Sequence, residues 1–157
     1  MLLNLNKYKM KKSVLLMILA AAFAFASCSS VSNVTSTDSA AKTMGTSCGS
    51  ALTNLYKSYK AAGNKVNMND ASVLTNAIAL STSISGLKQN AKNSTYRKSY
   101  ITGMVLGSAG LLSETKAGPV YDGLVNSANA LSGINTSSSA TTLTTAANAL
   151  TTILGLF

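Results

Sequence analysis

The chain contains no histidine and no tryptophan, and its 4 acidic residues face 13 basic ones. Without histidine it lacks the most frequent general base, every imidazole-based triad and the usual ligands of catalytic zinc. The acidic residues are Asp38, Asp70, Glu114 and Asp122, and no two of them share a helix face. An enzyme would need Lys, Tyr or Ser as base and nucleophile. We therefore expect no enzymatic activity, no metal and no other cofactor.

The positive charge is not concentrated in the way that nucleic-acid binding requires. Lys7, Lys9, Lys11 and Lys12 precede Cys28, and without these four the net charge falls from +9 to +5. After Cys28 only Arg97 and Lys98 are adjacent. Nucleic-acid-binding proteins combine clustered basic charge with a recognisable motif. We therefore expect no nucleic-acid partner.

Residues 10–30, MKKSVLLMILAAAFAFASCSS, have the order of an export signal. Lys11 and Lys12 form a positive start, and Val14 to Ala26 form an apolar core of suitable length. The sequence Phe25-Ala26-Ser27-Cys28 then resembles the lipobox of bacterial lipoproteins: an apolar residue, two small residues and cysteine. Met10 is the expected start of translation, because residues 1–9 add nothing that a signal needs.

This resemblance implies a covalent lipid on Cys28. In that family the cysteine thiol receives a diacylglyceryl group, a peptidase removes the preceding signal (here residues 1–27), and the new amine is acylated. Ser29 stands where inner-membrane lipoproteins of enteric bacteria carry Asp, which favours the outer membrane and leaves periplasmic or surface exposure open. Two alternatives are an ordinary signal cut near Ala26 or Ser27, and a transmembrane anchor. The apolar run is shorter than the roughly 20 residues that span a bilayer.

The rest of the chain divides into a tether and a helical domain. Residues 28–44 comprise the lipidated N-terminus and a flexible Ser- and Thr-rich tether, and residues 45–157 carry apolar residues at helical spacing. The predicted fold is all-α, a small antiparallel bundle of about five helices. Extended strands in the Thr-rich end are the alternative, but two-residue alternation is missing. The predicted helices begin and end near Gly45–Ala62, Ala71–Asn90, Thr95–Ser113, Pro119–Gly133 and Leu143–Phe157.

Asparagine and aspartate residues fill the loop between the first two predicted helices. Gly63-Asn64 is expected to end the first helix in a left-handed conformation, and Asp70 suits the N-cap of the second. Calcium binding by Asn67, Asn69 and Asp70 is a weaker alternative, because the loop has one carboxylate and no EF-hand spacing.

Cys48 is the one cysteine left after lipidation of Cys28. It lies in line with Ala51, Leu52 and Leu55 on the apolar side of the first predicted helix. This position predicts a buried, unpaired thiol that packs as a small apolar residue. An intermolecular disulfide is the alternative, because exported compartments are oxidising.

Three glycines mark the third predicted helix. Tyr96, Tyr100, Met104 and Leu111 are placed on one side, and Gly103, Gly107 and Gly110 form a small-residue track. A glycine inside a helix costs about 1 kcal/mol relative to alanine, so we expect another helix backbone to approach this track closely. The GxxxG spacing is typical of membrane helix pairs, but the apolar run from Ile101 to Leu112 is too short to span.

The function expected from these features is that of a lipid-anchored structural or accessory module with a protein partner in the envelope. The alternative is a basic, aromatic surface that binds anionic envelope glycan or lipid. Folding would have to bring its members together, since otherwise they are ordinary solvated helix faces. They are Lys57, Lys60, Tyr96, Arg97, Lys98 and Tyr100.

Overall fold

A computed structural model describes residues 37–157, with side chains from Ser39 onward. The proposed signal, residues 10–30, and the proposed lipid site, Cys28, lie outside the described residues. The described part is helical without strands, which confirms an all-α bundle and excludes extended strands for the Thr-rich end. Its six helices are α1 (Thr37–Ala61), α2 (Ala71–Ser83), α3 (Leu87–Asn90), α4 (Ser94–Gly107), α5 (Glu114–Leu131) and α6 (Ala140–Leu154).

Helix α1 begins inside the segment predicted as tether. It starts at Thr37, ahead of the expected Gly45, and Ala41 is fully buried. Alanine, lysine and methionine in this segment are good helix formers, so the helix extends further than its apolar stripe alone indicates. The end agrees with prediction: Gly63 and Asn64 have φ of 67° and 63°.

A glycine divides the second predicted helix in two. Helix α2 ends at Ser83, Gly86 adopts φ 78°, and α3 starts at Leu87. The predicted N-cap of α2 is confirmed, because Asp70 Oδ1 accepts hydrogen bonds from the backbone N–H groups of Ser72 (2.8 Å) and Val73 (3.1 Å).

The predicted boundary between the third and fourth helices is wrong on both sides. Helix α4 ends at Gly107, and Gly110 lies in the following turn with φ 85°. Helix α5 begins at Glu114 and contains Pro119 in its second turn, where proline removes one helical hydrogen bond. Gly118 makes this tolerable, because a residue without Cβ avoids the clash that disfavours helix before proline.

Three pairs of neighbouring helices are antiparallel, as predicted for the bundle: α1 with α2, α4 with α5, and α5 with α6. The side-chain bond from Asn54 to Asn76 (3.1 Å) joins α1 to α2, and α5 packs on α6, where Gly123 faces Ile153. Helices α1 and α4, in contrast, lie side by side in the same direction, which sequence analysis did not anticipate.

The α1–α4 contact is built on glycines from both helices. A Cβ on Gly103 would lie 2.8 Å from the backbone nitrogen of Thr46, and one on Gly107 would lie 2.8 Å from the carbonyl carbon of Thr46. Gly45 and Gly49 of α1 face the backbone of Met104 in the same way, at 3.0–3.1 Å. Close backbone approach is thus confirmed for Gly103 and Gly107. It is wrong for Gly110, whose surroundings are open.

Candidate functional site

The six residues predicted to form a basic, aromatic surface lie in separate places. Lys57 and Lys60 are near the C-terminal end of α1, whereas the other four belong to the first half of α4. Because α1 and α4 start at the same end of the bundle, the two groups lie toward opposite ends. The fold therefore does not assemble the predicted surface.

Tyr96 and Tyr100 belong to the core. They are 6% and 0% exposed, their rings stack with centroids 5.9 Å apart, and the Tyr100 hydroxyl donates to the carbonyl of Ser83 at 3.0 Å. Burial is the main reason why the pKa of Tyr100 lies well above its ordinary value and why the pKa of Tyr96 is raised to about 12. Neither ring is available to stack on a ligand at the surface.

Cys48 packs beside this tyrosine pair. Its side chain is fully buried, which confirms the prediction of a core position, and no cysteine among the described residues pairs with it. Burial raises the pKa of Cys48 to about 12, although hydrogen bonds with Tyr100 and Ser83 act in the opposite direction. Since the thiolate is the reactive form of cysteine, this side chain is chemically inert at neutral pH.

Arg97 connects α4 to α5. Its Nη2 donates to both carboxylate oxygens of Asp122, at 2.8 and 2.9 Å, and its guanidinium lies 5.3 Å from the ring centroid of Tyr121. Burial raises the pKa of Tyr121, whereas Arg97 lowers it. Both sides of the ion pair are partly open to solvent. Arg97 is thus already occupied by contacts within the bundle.

Aromatic residues surround Lys60 at the C-terminal end of α1. Its Nζ lies 5.9 Å from the ring centroid of Tyr56, and Tyr56 stacks on Phe157 at 5.0 Å. Lys57 and Lys98, on α1 and α4, are both exposed. The three lysines have no common concave surface.

An open groove of about 520 Å³ lies where the ends of α2 and α5 meet α3. Its lining is mixed: Ser81, Gln89 and Ser132 contribute hydroxyl and amide groups, and Ile84 and Ala128 contribute apolar surface. Lys88 Nζ donates to Asn129 Oδ1 across it at 3.3 Å. None of the six predicted residues contributes to this groove.

In the loop proposed as a calcium alternative, side-chain oxygens of Asn67 and Asp70 accept backbone hydrogen bonds. Asn67 Oδ1 accepts from the backbone N–H of Asn69 at 3.1 Å, and Asp70 caps α2. Within residues 37–157 no three side chains of the metal-binding types come together. In the same range, no helix combines the length and apolar character needed to cross a membrane.

Comparison with known proteins finds no relative: no protein-family model, curated protein or solved structure matches the chain.

The fold reveals residues that sequence reasoning missed. Gly45 and Gly49 carry their own GxxxG spacing, which was a readable signal. Lys42 is far in sequence from Lys88 and Lys92, and only the helix directions place it at the same end as those two residues.

Proposed function

We propose that the protein is a lipoprotein held in the outer membrane by acyl chains on Cys28, and that its helical bundle acts by contact with another envelope component. One observation carries this proposal. The charged start at Lys11, the apolar run and the Phe25–Cys28 sequence follow one another in the order of a lipoprotein signal. A folded helix begins soon afterwards at Thr37.

Lipid attachment would hold the protein firmly. One acyl chain binds a bilayer only marginally, at ~0.8 kcal/mol per buried methylene, whereas two signals or more give stable anchoring. The resemblance implies two chains on the glycerol and one on the amine of Cys28. A protein with three chains would not leave the membrane on its own.

Contact, rather than ligand chemistry, is favoured by how the bundle uses its reactive side chains. Cys48 and Tyr100 are fully buried, and Arg97 is paired with Asp122. Two large apolar side chains remain at the surface, Leu106 at 60% and Leu156 at 40% exposure. The alternative of a glycan- or lipid-binding surface built from the six sequence-selected residues is disfavoured, because its two tyrosines are buried and its lysines lie at opposite ends.

The lipid is tested by growth with a radiolabelled fatty acid. Wild-type protein should become labelled, and Cys28→Ala should not. Cys48→Ala is the matched control, because it removes the other cysteine of the chain and should keep the label. Equal labelling of wild type and Cys28→Ala would refute the lipoprotein proposal.

The choice of membrane is tested separately by density fractionation of cell envelopes. The wild type should band with the outer membrane. By analogy with enteric lipoproteins, Ser29→Asp should shift the protein toward the inner membrane, with Ser30→Asp as a control that leaves position 29 unchanged. Inner-membrane location of the wild type would contradict this part of the proposal.

A further inference from the structure

Helices α1 and α4 begin at the same end of the bundle. Gly103 of α4 faces the backbone of α1 at Lys42 and Thr46, and Gly107 faces Thr46. The two helices therefore run in the same direction. We call the end that carries the first turns of α1 and α4, with α3 and the loop at residues 91–93, the proximal end.

Helix α2 returns the chain to this end. Asn54 bonds to Asn76, while Ser83 at the end of α2 lies beside the Tyr100 hydroxyl, so α2 runs opposite to α1. Helix α3 and the following loop then lead directly into α4. The basic residues gathered at the proximal end are Lys42, Lys88, Lys92, Arg97 and Lys98.

The charges of the proximal end are mostly unneutralised. Of the basic residues there, Arg97 alone is in an ion pair among the described side chains, with Asp122, and the four lysines are exposed. Asp38, the second residue of α1, adds one negative charge to this end. The opposite end has four lysines, Lys57, Lys60, Lys65 and Lys116, together with Asp70 and Glu114, so its side chains carry about +2 against about +3 at the proximal end.

The proximal end is also the end to which the proposed anchor is connected. Residues 29–36 separate Cys28 from α1, and a segment of that length spans at most about 30 Å. The far end of α1, a helix of 25 residues, lies about 37 Å further along its axis. The attraction between a lysine and the membrane surface is screened beyond about 8 Å in physiological salt. The short tether keeps the proximal lysines nearer to the membrane than the lysines of the far end, and therefore favours the proximal lysines for contact.

We infer that the proximal end binds the anionic headgroup surface of the leaflet that holds the anchor, with Lys42, Lys88, Lys92 and Lys98 as the contacting residues. This inference rests on the proposed lipid at Cys28 and specifies how the bundle is oriented above it. The lysines supply attraction of about fivefold in affinity per residue near an anionic surface. The opposite end, with Lys57, faces away from the membrane and is left free for a protein partner.

The experiment uses the full lipidated protein, reconstituted into phosphatidylcholine vesicles with or without phosphatidylglycerol. An amine-acetylating reagent is applied, and mass spectrometry gives the modification rate of each lysine. Anionic vesicles should slow the proximal lysines several-fold relative to neutral vesicles. Lys57, Lys60 and Lys65 should react equally in both, and added salt should abolish the difference.

Charge reversal tests the same surface. Lys92→Glu with Lys98→Glu should remove the protection of Lys42 and Lys88 on anionic vesicles. The matched control, Lys57→Glu with Lys60→Glu, should leave that protection intact. All four substituted side chains are exposed, and unchanged melting temperatures will verify that both variants remain folded.

The outcomes separate this inference from the proposal beneath it. Protein that floats with both kinds of vesicle but shows no difference at the proximal lysines would overturn the inference and leave the lipoprotein intact. Protection at Lys57 and Lys60 instead would overturn it by reversing the orientation. Failure to float with either vesicle, with no acyl mass on Cys28, would refute the anchor and the inference together.

Discussion

Glycine residues determine how closely α1 and α4 can meet. At Gly45, Gly49, Gly103 and Gly107 an added Cβ would come within about 3 Å of backbone atoms of the other helix. Backbone atoms cannot rotate aside as a side chain can, so relief requires the helices to separate. The cost of four helical glycines is therefore offset by close packing across the contact.

Gly107→Ala is expected to destabilise the bundle. The new methyl would collide with the backbone of Thr46, and overpacking of this kind costs about 1–3 kcal/mol from a typical stability of roughly 5–15 kcal/mol. The melting temperature should fall by several degrees, and further for Gly107→Leu.

Gly123→Ala is the matched control, because its Cβ would meet only side-chain atoms, at 3.4 and 3.6 Å. There the better helix propensity of alanine should leave stability unchanged or raise it. A raised melting temperature for Gly107→Ala would show that the two helices are not in backbone contact.

Cys48 should resist modification in the folded protein. Its side chain has no exposed surface, so a reagent cannot reach the sulfur atom. Burial also raises its pKa to about 12, so the reactive thiolate is scarce at neutral pH. A membrane-impermeant thiol reagent should leave Cys48 unmodified under native conditions and modify it fully after denaturation. Fast native labelling, or a dimer that only a reductant separates, would contradict the buried, unpaired state.

At the level of elements, the helices α2, α4 and α6 each begin at a residue whose side chain accepts backbone hydrogen bonds. The carboxylate of Asp70 accepts two backbone hydrogen bonds at the start of α2, and the side-chain oxygen of Asn93 does the same at the start of α4. Caps of this kind are local in sequence. That is why the Asp70 cap could be predicted from the residue types alone.

Asp70→Ala should lower the free energy of unfolding by about 1 kcal/mol, because α2 would lose its side-chain cap. Asp70→Asn keeps a side-chain oxygen and should retain most of the stability. Urea denaturation of the three proteins measures the difference. Equal losses in both variants would mean that the carboxylate charge, and not the cap, contributes the stabilisation.

Helix boundaries were less predictable than helix existence. Gly86 ends one helical stretch although the apolar spacing continues through it, and Pro119 lies inside α5 although proline favours a first turn. The apolar spacing predicts which face of a helix is buried. It predicts the position of the turn between two helices only weakly.

At the level of the whole molecule, the sequence predicts the fold class and the buried state of Cys48, but not which helices are neighbours. The direction of α1 relative to α4 depends on contacts between residues far apart in sequence. The same reason explains why the sequence does not show that the six ligand-binding candidates lie apart in the fold. The helical spacing places Tyr96 and Tyr100 on the same side as Met104, whereas the proposed ligand surface needs both rings exposed, and their burial decides between these two roles.

Alkaline pH should destabilise the bundle. The ordinary pKa values of 9.0 for Cys48 and 10.0 for Tyr96 are raised to about 12 by burial, and burial also raises the pKa of Tyr100. Below pH 9 the folded and the unfolded chain both keep the protons of these side chains, so burial of the neutral groups contributes its full stabilisation. Above it the unfolded chain releases protons that the folded chain retains, so stability falls as pH rises toward 12.

Urea midpoints between about pH 8 and pH 11 measure this effect. Cys48→Ala should be less stable at neutral pH, because it leaves space in the core. It should lose less further stability between pH 8 and 10, because the variant has no thiol that titrates in the unfolded chain. An identical decline in wild type and Cys48→Ala would assign the whole effect to other groups.

The parallel α1–α4 pair also sets the order in which the chain can fold. Thr53 of α1 bonds to the carbonyl of Ser108, 55 residues later in sequence, so a long loop must close before the glycine faces meet. Contacts of such separation slow folding. If the chain crosses the inner membrane with its N-terminus first, α1 emerges with its glycine face uncovered and stays so until α4 follows. Under the proposed export, this interval is the stage at which the protein would depend most on a chaperone.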